Sequence, residues 1–406
     1  MAGELKTPPV ATVFIVAGEE SGDILGSSLM TALSARLDGR VRFLGVGGAR
    51  MARLGLAPLF PMEDIALHGL SEVLLRLPRL IGHIRQTARA IADARPDVLV
   101  LVDTPGFNLR LARRVRKLSP GIPIVDYVSP SVWAWAPWRA RRMAPFVDRL
   151  LAILPFEPAV HRRLGGPPTT YVGHPLLQRL ADLRPAFGER APLGRGTRPV
   201  LVVLPGSRRS EVTRLMPVFG ATVEKVAALC GPLEVLLPAV PRLAAEIRAA
   251  AASWPVEPTI VEGEGAAYAA FRRAHAALAA SGTVTLELAL SGVPMVVAYR
   301  VDMFLRALKP LLKAHSIVLA NLILGENIIP EFLDDDAEPE RLARTLAPLL
   351  AETPDRARQL AAFGQIEALM ALDGNTPSGL AAEIVAEAMR QPPSGGGLSV
   401  NRPGAV

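Results

Sequence analysis

Residues 10–23 read VATVFIVAGEESGD, and this stretch decides the fold class. Val10–Ala17 is short, unbroken, apolar and rich in β-branched side chains, the pattern of a strand buried on both faces of a parallel sheet. Gly18–Asp23 interrupts the run as a loop, and a helix is expected to follow through Leu37. Strand, turn and helix then recur. Strands are expected at Val41–Val46, ending on Gly47-Gly48; at Asp97–Val102, stopping at Asp103; at Ile122–Val128; and at Leu150–Leu154. Strands alternating with helices predict a doubly wound parallel α/β sheet.

Pro185–Arg198 is rich in Pro, Gly and Arg and reads as a linker. The pattern restarts after it with Pro199–Leu204, the turn Pro205-Gly206-Ser207-Arg208, Leu233–Leu237, Thr259–Val261, Ala276–Ala280 with the turn Ser281-Gly282-Thr283, and Val293–Ala298. From about Pro339 the chain reads as helical, and Gln391–Val406 as a disordered Pro/Gly/Ser-rich tail. The expected organisation is one α/β domain over residues 1–184, a second over 185–360, C-terminal helices over 361–390 and the tail over 391–406. Two Rossmann-like halves imply a cleft at the carboxyl ends of both sheets, where ligands bind in such folds. A length of 406 residues suits two cores rather than one.

Half of the chain is hydrophobic and a fifth is charged, a folding composition. The single cysteine, Cys230, excludes an internal disulfide and a thiolate metal cluster, and fits a reducing, cytoplasmic compartment. The net charge of +7 is carried mostly by arginine, clustered at Arg110, Arg113, Arg114, Arg116 and Lys117 and at Arg139, Arg141 and Arg142. Such clusters are either a solvated basic surface or an attraction to phosphates. No nucleic acid partner is expected, since no binding motif is present and aromatics for stacking are few. MAGELKTPPV has neither a basic n-region nor a cleavage site, so no secretory signal is expected. No charge-free run reaches the roughly 18 residues of a spanning helix. The protein is expected to be soluble or to lie on a membrane surface. Ile65–Ile84 (IALHGLSEVLLRLPRLIGHI) is strongly apolar with interspersed arginine, and is either core or a patch that touches lipid.

Two turns in the second half are shaped for an anion. Ser207 and Arg208 follow a strand and precede a helix, so backbone N–H groups and a guanidinium converge there. Ser281, Gly282 and Thr283 repeat the geometry, and glycine lets a phosphate approach the backbone. Glu287 lies one helical turn beyond Thr283. Its carboxylate is placed either to accept a ribose's hydroxyls or to complement the helix dipole. Together these features point to a nucleotide. The first-half loop holds Gly18, Glu19, Glu20, Ser21, Gly22 and Asp23, whose carboxylates would repel a pyrophosphate. It also lacks the G-x-G-x-x-G pattern of NAD and FAD sites. Carboxylates there suit sugar hydroxyls or proton transfer, while Ser21 or Asp23 is alternatively a helix cap. Asp103, at the tip of a buried strand, is placed as a base, or is a turn residue before Pro105, and Asn108 is near enough to orient a ligand. Tyr127–Trp138 (YVSPSVWAWAPW) holds three of the four tryptophans, as core or as an apolar wall bordered by arginines. No metal site is expected. His68, His83, His161, His174, His275 and His315 lack ligand spacing, and Asp334-Asp335-Asp336 precedes a helix, where acidic residues are favoured.

Taken in order, GEESGD (18–23), DTPGFN (103–108), YVSPSVWAW (127–135), LPFE (154–157), VGHP (172–175), LPGSR (204–208), ASGTVTLE (280–287) and ANL with PEF near 320–332 resemble the lipid-A-disaccharide synthases, glycosyltransferases of GT-B type. The resemblance spans about residues 10–335. It implies transfer from UDP-2,3-diacylglucosamine to 2,3-diacylglucosamine 1-phosphate, forming a β-1,6 bond with inversion and releasing UDP, with no metal and no cofactor. Asp103 matches the family's essential aspartate, Arg208 its essential arginine and Asn321 a sensitive polar position. Asp103, Glu19 and Glu20 are thus the candidate catalytic carboxylates. Ser207, Arg208, Ser281, Gly282, Thr283, Glu287 and Asn321 fall on the donor side. Gly18, Ser21, Gly22, Asp23, Asn108, Ser129 and Trp133 fall on the acceptor side. The family often has Asp where this chain has Gly106, and Gln where it has Asp334. A cytoplasmic enzyme peripheral to the inner membrane follows, as monomer or homodimer. Two other readings fit parts of the pattern: a UDP-sugar 2-epimerase on the same architecture, and a non-catalytic membrane-surface module.

Overall fold

The computed structural model describes residues 10–65, 70–194, 196–300 and 314–391, the side chains of 70–76 apart. The chain divides into two compact units, Met1–Pro175 with Leu372–Val406 and Leu176–Ala371.

The first unit is built on seven strands: β1 Ala11–Ala17, β2 Val41–Val46, β3 Ala57–Pro58, β4 Val98–Val102, β5 Ile124–Tyr127, β6 Arg149–Ala152 and β7 Thr169–Tyr171. They lie in the order β3-β2-β1-β4-β5-β6-β7, every neighbouring pair parallel. Alternate residues of β1 enter opposite layers, as a strand's two-residue period requires. Val13, Ile15 and Ala17 pack with Leu25, Leu29 and Leu33 of the helix Glu20–Arg36. Phe14 and Val16 pack with Leu80 and Ile84 of the helix Leu70–Ala94, and with Phe107 and Leu111 of Pro105–Leu118. Burying each such side chain stabilises by about 1.5–3 kcal/mol. Gly45 of β2 has φ +139°, and a Cβ there would run into the Ile15 carbonyl oxygen.

The second unit repeats the plan with β8 Val200–Leu204, β9 Glu234–Ala239, β10 Thr259–Glu262, β11 Ala276–Ala280, β12 Met295–Tyr299 and β13 Glu331–Leu333. Their order is β10-β9-β8-β11-β12-β13, again all parallel. Strand order reverses between β1 and β4 in the first unit and between β8 and β11 in the second. The carboxyl ends at these switch points are where each doubly wound sheet receives ligands.

Four expectations change. The acidic stretch is not a loop up to Asp23: helix begins at Glu20, with Glu20 and Asp23 in its first turn, where negative charge complements the dipole. The unit boundary falls at Pro175/Leu176, not at 184/185. Residues 185–198 pack as part of the second unit, because Arg190 donates to the carbonyls of Phe271, Ser291 and Gly292 at 2.7–3.1 Å. The C-terminal helices are not one separate layer. Pro354–Met370 stays in the second unit, where Gln359 pairs with the backbone N–H and C=O of Met295 at 2.8 and 3.1 Å. Pro377–Ala388 returns to the first, burying Ala381, Ala382 and Val385 in the layer of Glu20–Arg36. Finally, β3, β7 and β13 add three strands of two or three residues, too short to show a period. The tail from residue 392 lies outside the described residues. Among the described residues, no helix is long and apolar enough to cross a membrane.

Candidate functional site

At the switch point of the first unit, β4 ends on two successive residues in the left-handed region, Asp103 (φ 53°) and Thr104 (φ 46°). Non-glycine residues there are strained and persist only where neighbours hold them. Asp103 N–H donates to the Tyr127 carbonyl at 2.8 Å. Asn108, fully buried, donates its amide to the carbonyls of Asp103 (2.6 Å) and Val102 (3.2 Å). Asn108 therefore fixes the turn that presents Asp103. Ser21 Oγ donates to Asp103 Oδ2 at 2.9 Å, so the motifs at 18–23 and 103–108 meet. Gly18 and Gly22 make room for this approach. A Cβ on Gly18 would lie 2.7 Å from Thr104 Oγ1, and one on Gly22 3.2 Å from the Ala17 Cβ. Glu19 is half-buried at the helix N-cap, and Glu20 is exposed.

Asp23 caps a helix, but not its own. Its buried carboxylate accepts from the N–H groups of Gly48, Arg50 and Met51 at 2.9–3.0 Å, closing the start of the helix Ala49–Arg53. It ties the end of β1 to the end of β2. Beside Asp103 lies a residue that the sequence reading did not single out. Asp126 of β5 is buried, and desolvation with the charge of Asp103 raises its pKa well above the usual carboxylate range.

The tryptophan segment splits in two. Trp133 Nε1 donates to Glu157 Oε1 at 3.2 Å, and its ring meets Phe156 edge-on at 5.5 Å. Trp135 and Trp138 are 50% and 57% exposed, with Arg139 and Arg142 stacked on them at 4.9 and 4.7 Å. Ser129 Oγ and His161 Nε2 share a hydrogen bond of 2.7 Å. Glu157 also accepts from Leu154 N–H at 3.0 Å, and burial pushes its pKa up to about 7. Burial lowers His161 and His174 to about 4, so both are neutral at physiological pH. Ser129 and Trp133 thus belong to a buried polar network under the exposed tryptophans. Its key member, Glu157, stood in the LPFE string but gave no local signal of its burial. Of the apolar strip, Ile65, Leu80 and Ile84 are core, while Leu77 and Ile81 are exposed. Residues 66–69, with His68, lie outside the described residues.

In the second unit the two anion-shaped turns differ. The first is already filled. Glu211 Oε2 accepts from the N–H groups of Ser207 (3.1 Å) and Arg208 (3.2 Å), and Glu211 Oε1 meets Arg208 Nη1 at 3.4 Å. Gly206 (φ +106°) allows this, since a Cβ would collide with the same carboxylate. The N–H groups expected to hold a phosphate are thus engaged by the chain's own anion, while the Arg208 side chain is 67% exposed. The second turn is open, with nothing within 4 Å of a Cβ built on Gly282.

That second turn is braced from below. Ser281 Oγ donates to the Ile317 carbonyl at 2.7 Å, and Ile317 N–H to Glu331 Oε2 at 2.9 Å. Ser316 Oγ also donates to Glu331. Asn321, fully buried, donates to Glu331 Oε1 (2.8 Å) and the Ile329 carbonyl (3.0 Å), and accepts from Ile329 N–H at 2.9 Å. These bonds tie its amide into the loop around Ile329 and Glu331. Glu287 is mostly buried, and desolvation with the neighbouring Glu264 raises its pKa to about 7. Tyr268 Oη donates to Glu264 Oε1 at 3.3 Å, and Arg179 stacks on Tyr268 at 4.7 Å. The acidic run Asp334–Asp336 forms a short 3-10 turn before the helix Pro339–Leu346, which has Glu338 at its N-cap.

Two all-parallel, doubly wound units, each with polar residues gathered at its switch point, define the GT-B fold. Solved structures of that fold cover nearly the whole chain. They include the glycosyltransferase of kitacinnamycin (TM-score 0.60, 19% identity, 94% of this chain and 100% of that one) and MurG of Acinetobacter baumannii (0.53, 13%, 93% and 99%). A putative UDP-N-acetylglucosamine 2-epimerase from Listeria monocytogenes shares the fold equally (0.58, 13%, 94% and 96%). Residues 13–385 match the family model described as lipid-A-disaccharide synthetase, and the chain belongs to that family. It is 51% identical to the lipid-A-disaccharide synthase of Rhodopseudomonas palustris (strain HaA2) over 96% of this chain and 99% of the relative. It is 52% identical to that of Nitrobacter hamburgensis over 93% and 95%.

Proposed function

We propose that the enzyme takes UDP-2,3-diacylglucosamine as donor and 2,3-diacylglucosamine 1-phosphate as acceptor, giving a β-1,6-linked disaccharide 1-phosphate and UDP. The acceptor's 6-hydroxyl oxygen attacks C1 of the donor. The bond from C1 to the UDP oxygen breaks, the configuration at C1 inverts, and the hydroxyl proton passes to a carboxylate. Asp103 takes that proton, with Glu19 and Glu20 at the same switch point as the other carboxylates within the motif. The observation that carries this reading is the hydrogen bond from Ser21 to Asp103. It holds a carboxylate at the strand tip on a turn that Asn108 and Thr104 over-determine.

On the donor side, Arg208 and the N–H groups of Ser281, Gly282 and Thr283 meet the charge that develops on departing UDP, as preorganised donors do in group transfer. Glu287 accepts from the ribose hydroxyls. Ser207, with its N–H engaged by Glu211, shapes the turn that carries Arg208. Ser129 and Trp133 support the acceptor side from within the Glu157 network. The reaction needs no metal in this scheme, so turnover persists in excess chelator, and its collapse there would overturn that part. Exposed Leu77, Ile81, Trp135 and Trp138, interleaved with arginine, support a peripheral position at the cytoplasmic face of the inner membrane, since aromatic and apolar groups beside cations suit a headgroup boundary.

Asp103→Asn tests the base. Turnover should fall by about 10²–10⁴, the usual worth of a positioned general base, while UDP binding by calorimetry is retained. Loss of UDP binding with the fold intact would contradict the assignment.

A further inference from the structure

Beside the first unit's switch point, two neighbouring strands leave the sheet through strained residues. β4 exits through Asp103 and Thr104, and β5 exits through Val128, a β-branched residue at φ 88°. A branched side chain in that region is an outlier that persists only where its surroundings over-determine it. One bond joins the two exits: Asp103 N–H donates to the carbonyl of Tyr127, the residue before Val128. The path of the β5 exit is therefore felt at Asp103.

Two contacts hold that exit. Val128 N–H donates to the Leu151 carbonyl of β6 at 3.0 Å. The next residue, Ser129, is buried, and its Oγ lies 2.7 Å from Nε2 of the fully buried His161. His161 stands on the helix Glu157–Leu164, one turn beyond Glu157, whose carboxylate ties the start of that helix to Leu154 N–H at 3.0 Å. Among the described residues, His161 Nδ1 has no hydrogen-bond partner. Buried N–H groups are left without an acceptor more rarely than acceptors are left without a donor. The ring, neutral through its burial, therefore carries its proton on Nε2 and donates to Ser129. The Ser129 hydroxyl then donates to the Pro130 carbonyl at 3.0 Å. Gly166 closes over the bare nitrogen, where a Cβ would collide with Nδ1.

We propose that His161 and Ser129 are positioning residues for the transfer reaction: by clamping the chain at Val128 they fix the Tyr127 carbonyl and, through it, the turn that presents Asp103. The assignment rests on Asp103 being the base proposed above. Both side chains are buried, so the clamp works through the backbone and without contact to substrate. Misplacing a reacting group by about 1 Å costs up to about a hundredfold in rate, so a loosened exit should appear in turnover before it appears in affinity.

The experiment uses the full chain in neutral detergent with the proposed donor and acceptor. It measures kcat, donor KM, UDP binding by calorimetry and melting temperature. His161→Phe and Ser129→Ala remove the bond, Gly166→Ala displaces the ring without deleting a polar group, and His161→Gln keeps an N–H at similar reach. Each is made in the wild-type chain and again together with Asp103→Asn. In the wild-type background the first three should lower kcat about tenfold, with UDP binding and donor KM retained, and His161→Gln should keep most of the rate. Together with Asp103→Asn, the same changes should alter the residual rate by less than about twofold, because residues that act through one group are not additive. An equal loss in both backgrounds would make the clamp a general support of the fold and overturn the assignment. An unchanged kcat in folded Ser129→Ala and His161→Phe would overturn it too. If His161→Phe does not fold, Gly166→Ala and Ser129→Ala decide the matter on the same terms. If Asp103→Asn alone keeps wild-type turnover, the proposed base itself fails, whatever the clamp variants do, and this assignment fails with it.

Discussion

Replacing Glu157 by Gln changes how the first unit's stability depends on pH. In the folded chain burial keeps the Glu157 proton on until about pH 7, against an ordinary 4.5. Below 4.5 both folded and unfolded chains hold the proton. Between 4.5 and 7 only the folded chain does, so stability falls as pH rises, and above 7 the loss is complete. A proton retained over that interval corresponds to about 3 kcal/mol, at about 1.36 kcal/mol per pH unit. Gln does not titrate, so the variant should gain on wild type by about this amount between pH 4.5 and 8. The heights of the two curves also reflect the Trp133 and Leu154 hydrogen bonds, and the prediction concerns only how their difference changes. His161 and His174, lowered to about 4, act in the opposite sense. They contribute stability that is lost as pH falls below 6.5, and since both proteins carry them they cancel. Three of the four tryptophans lie in the first unit, so a Trp254→Phe background lets indole emission follow that unit during urea unfolding. Curves that stay parallel within about 0.5 kcal/mol from pH 5 to 8 would refute the claim that Glu157 is held protonated by its burial.

Glu331→Ala leaves Ile317 N–H and the Asn321 amide without their acceptor, at about 1–3 kcal/mol each, and loosens the turn at Ser281. KM for the UDP-sugar donor should rise about tenfold along with a lower melting temperature, and an unchanged KM would show that the turn does not depend on this brace. Glu211→Ala empties the N–H groups of Ser207 and Arg208, which should then take an oxyanion. Sulfate should raise the melting temperature of the variant more than that of wild type, and an equal response in both would count against the carboxylate's acting as resident anion. Gly45→Ala combines φ +139° with a collision at the Ile15 carbonyl, costing about 3 kcal/mol or more. A urea midpoint matching that of wild type would contradict the close approach of β2 to β1.

Much of the fold was legible because parallel strands buried on both faces read as unbroken apolar runs. β2 and β11 were placed to the residue, and β1, β4 and β8 to within one at their starts. Asp103 was legible for the same reason, since an acid closing such a run lies at a strand's carboxyl tip. The roles of the other polar residues were harder to read, because a side chain's partner is set by contacts far along the chain. Asp23 read either as a partner for sugar hydroxyls or as a cap for its own helix, while its oxygens accept from N–H groups 25–28 residues away. The turn at Ser207 and Arg208 looked open, and nothing in LPGSR indicates that Glu211 folds back into it.

By itself, the sequence determined two repeated strand–turn–helix series, their order, and the motifs at the strand tips, all products of local periodicity and side-chain chemistry. Only the tertiary structure decided that the helix Pro377–Ala388 completes the first unit, and that the side-chain amides of Asn108 and Asn321 donate to groups of the fold. It also decided that Glu157 and Asp126 are buried acids, and that of two similar anion turns one is filled and the other open. The physical reason is common to all of these. Burial and hydrogen-bond saturation depend on which distant groups arrive, and a sequence window carries a residue's own chemistry but not its neighbours in space.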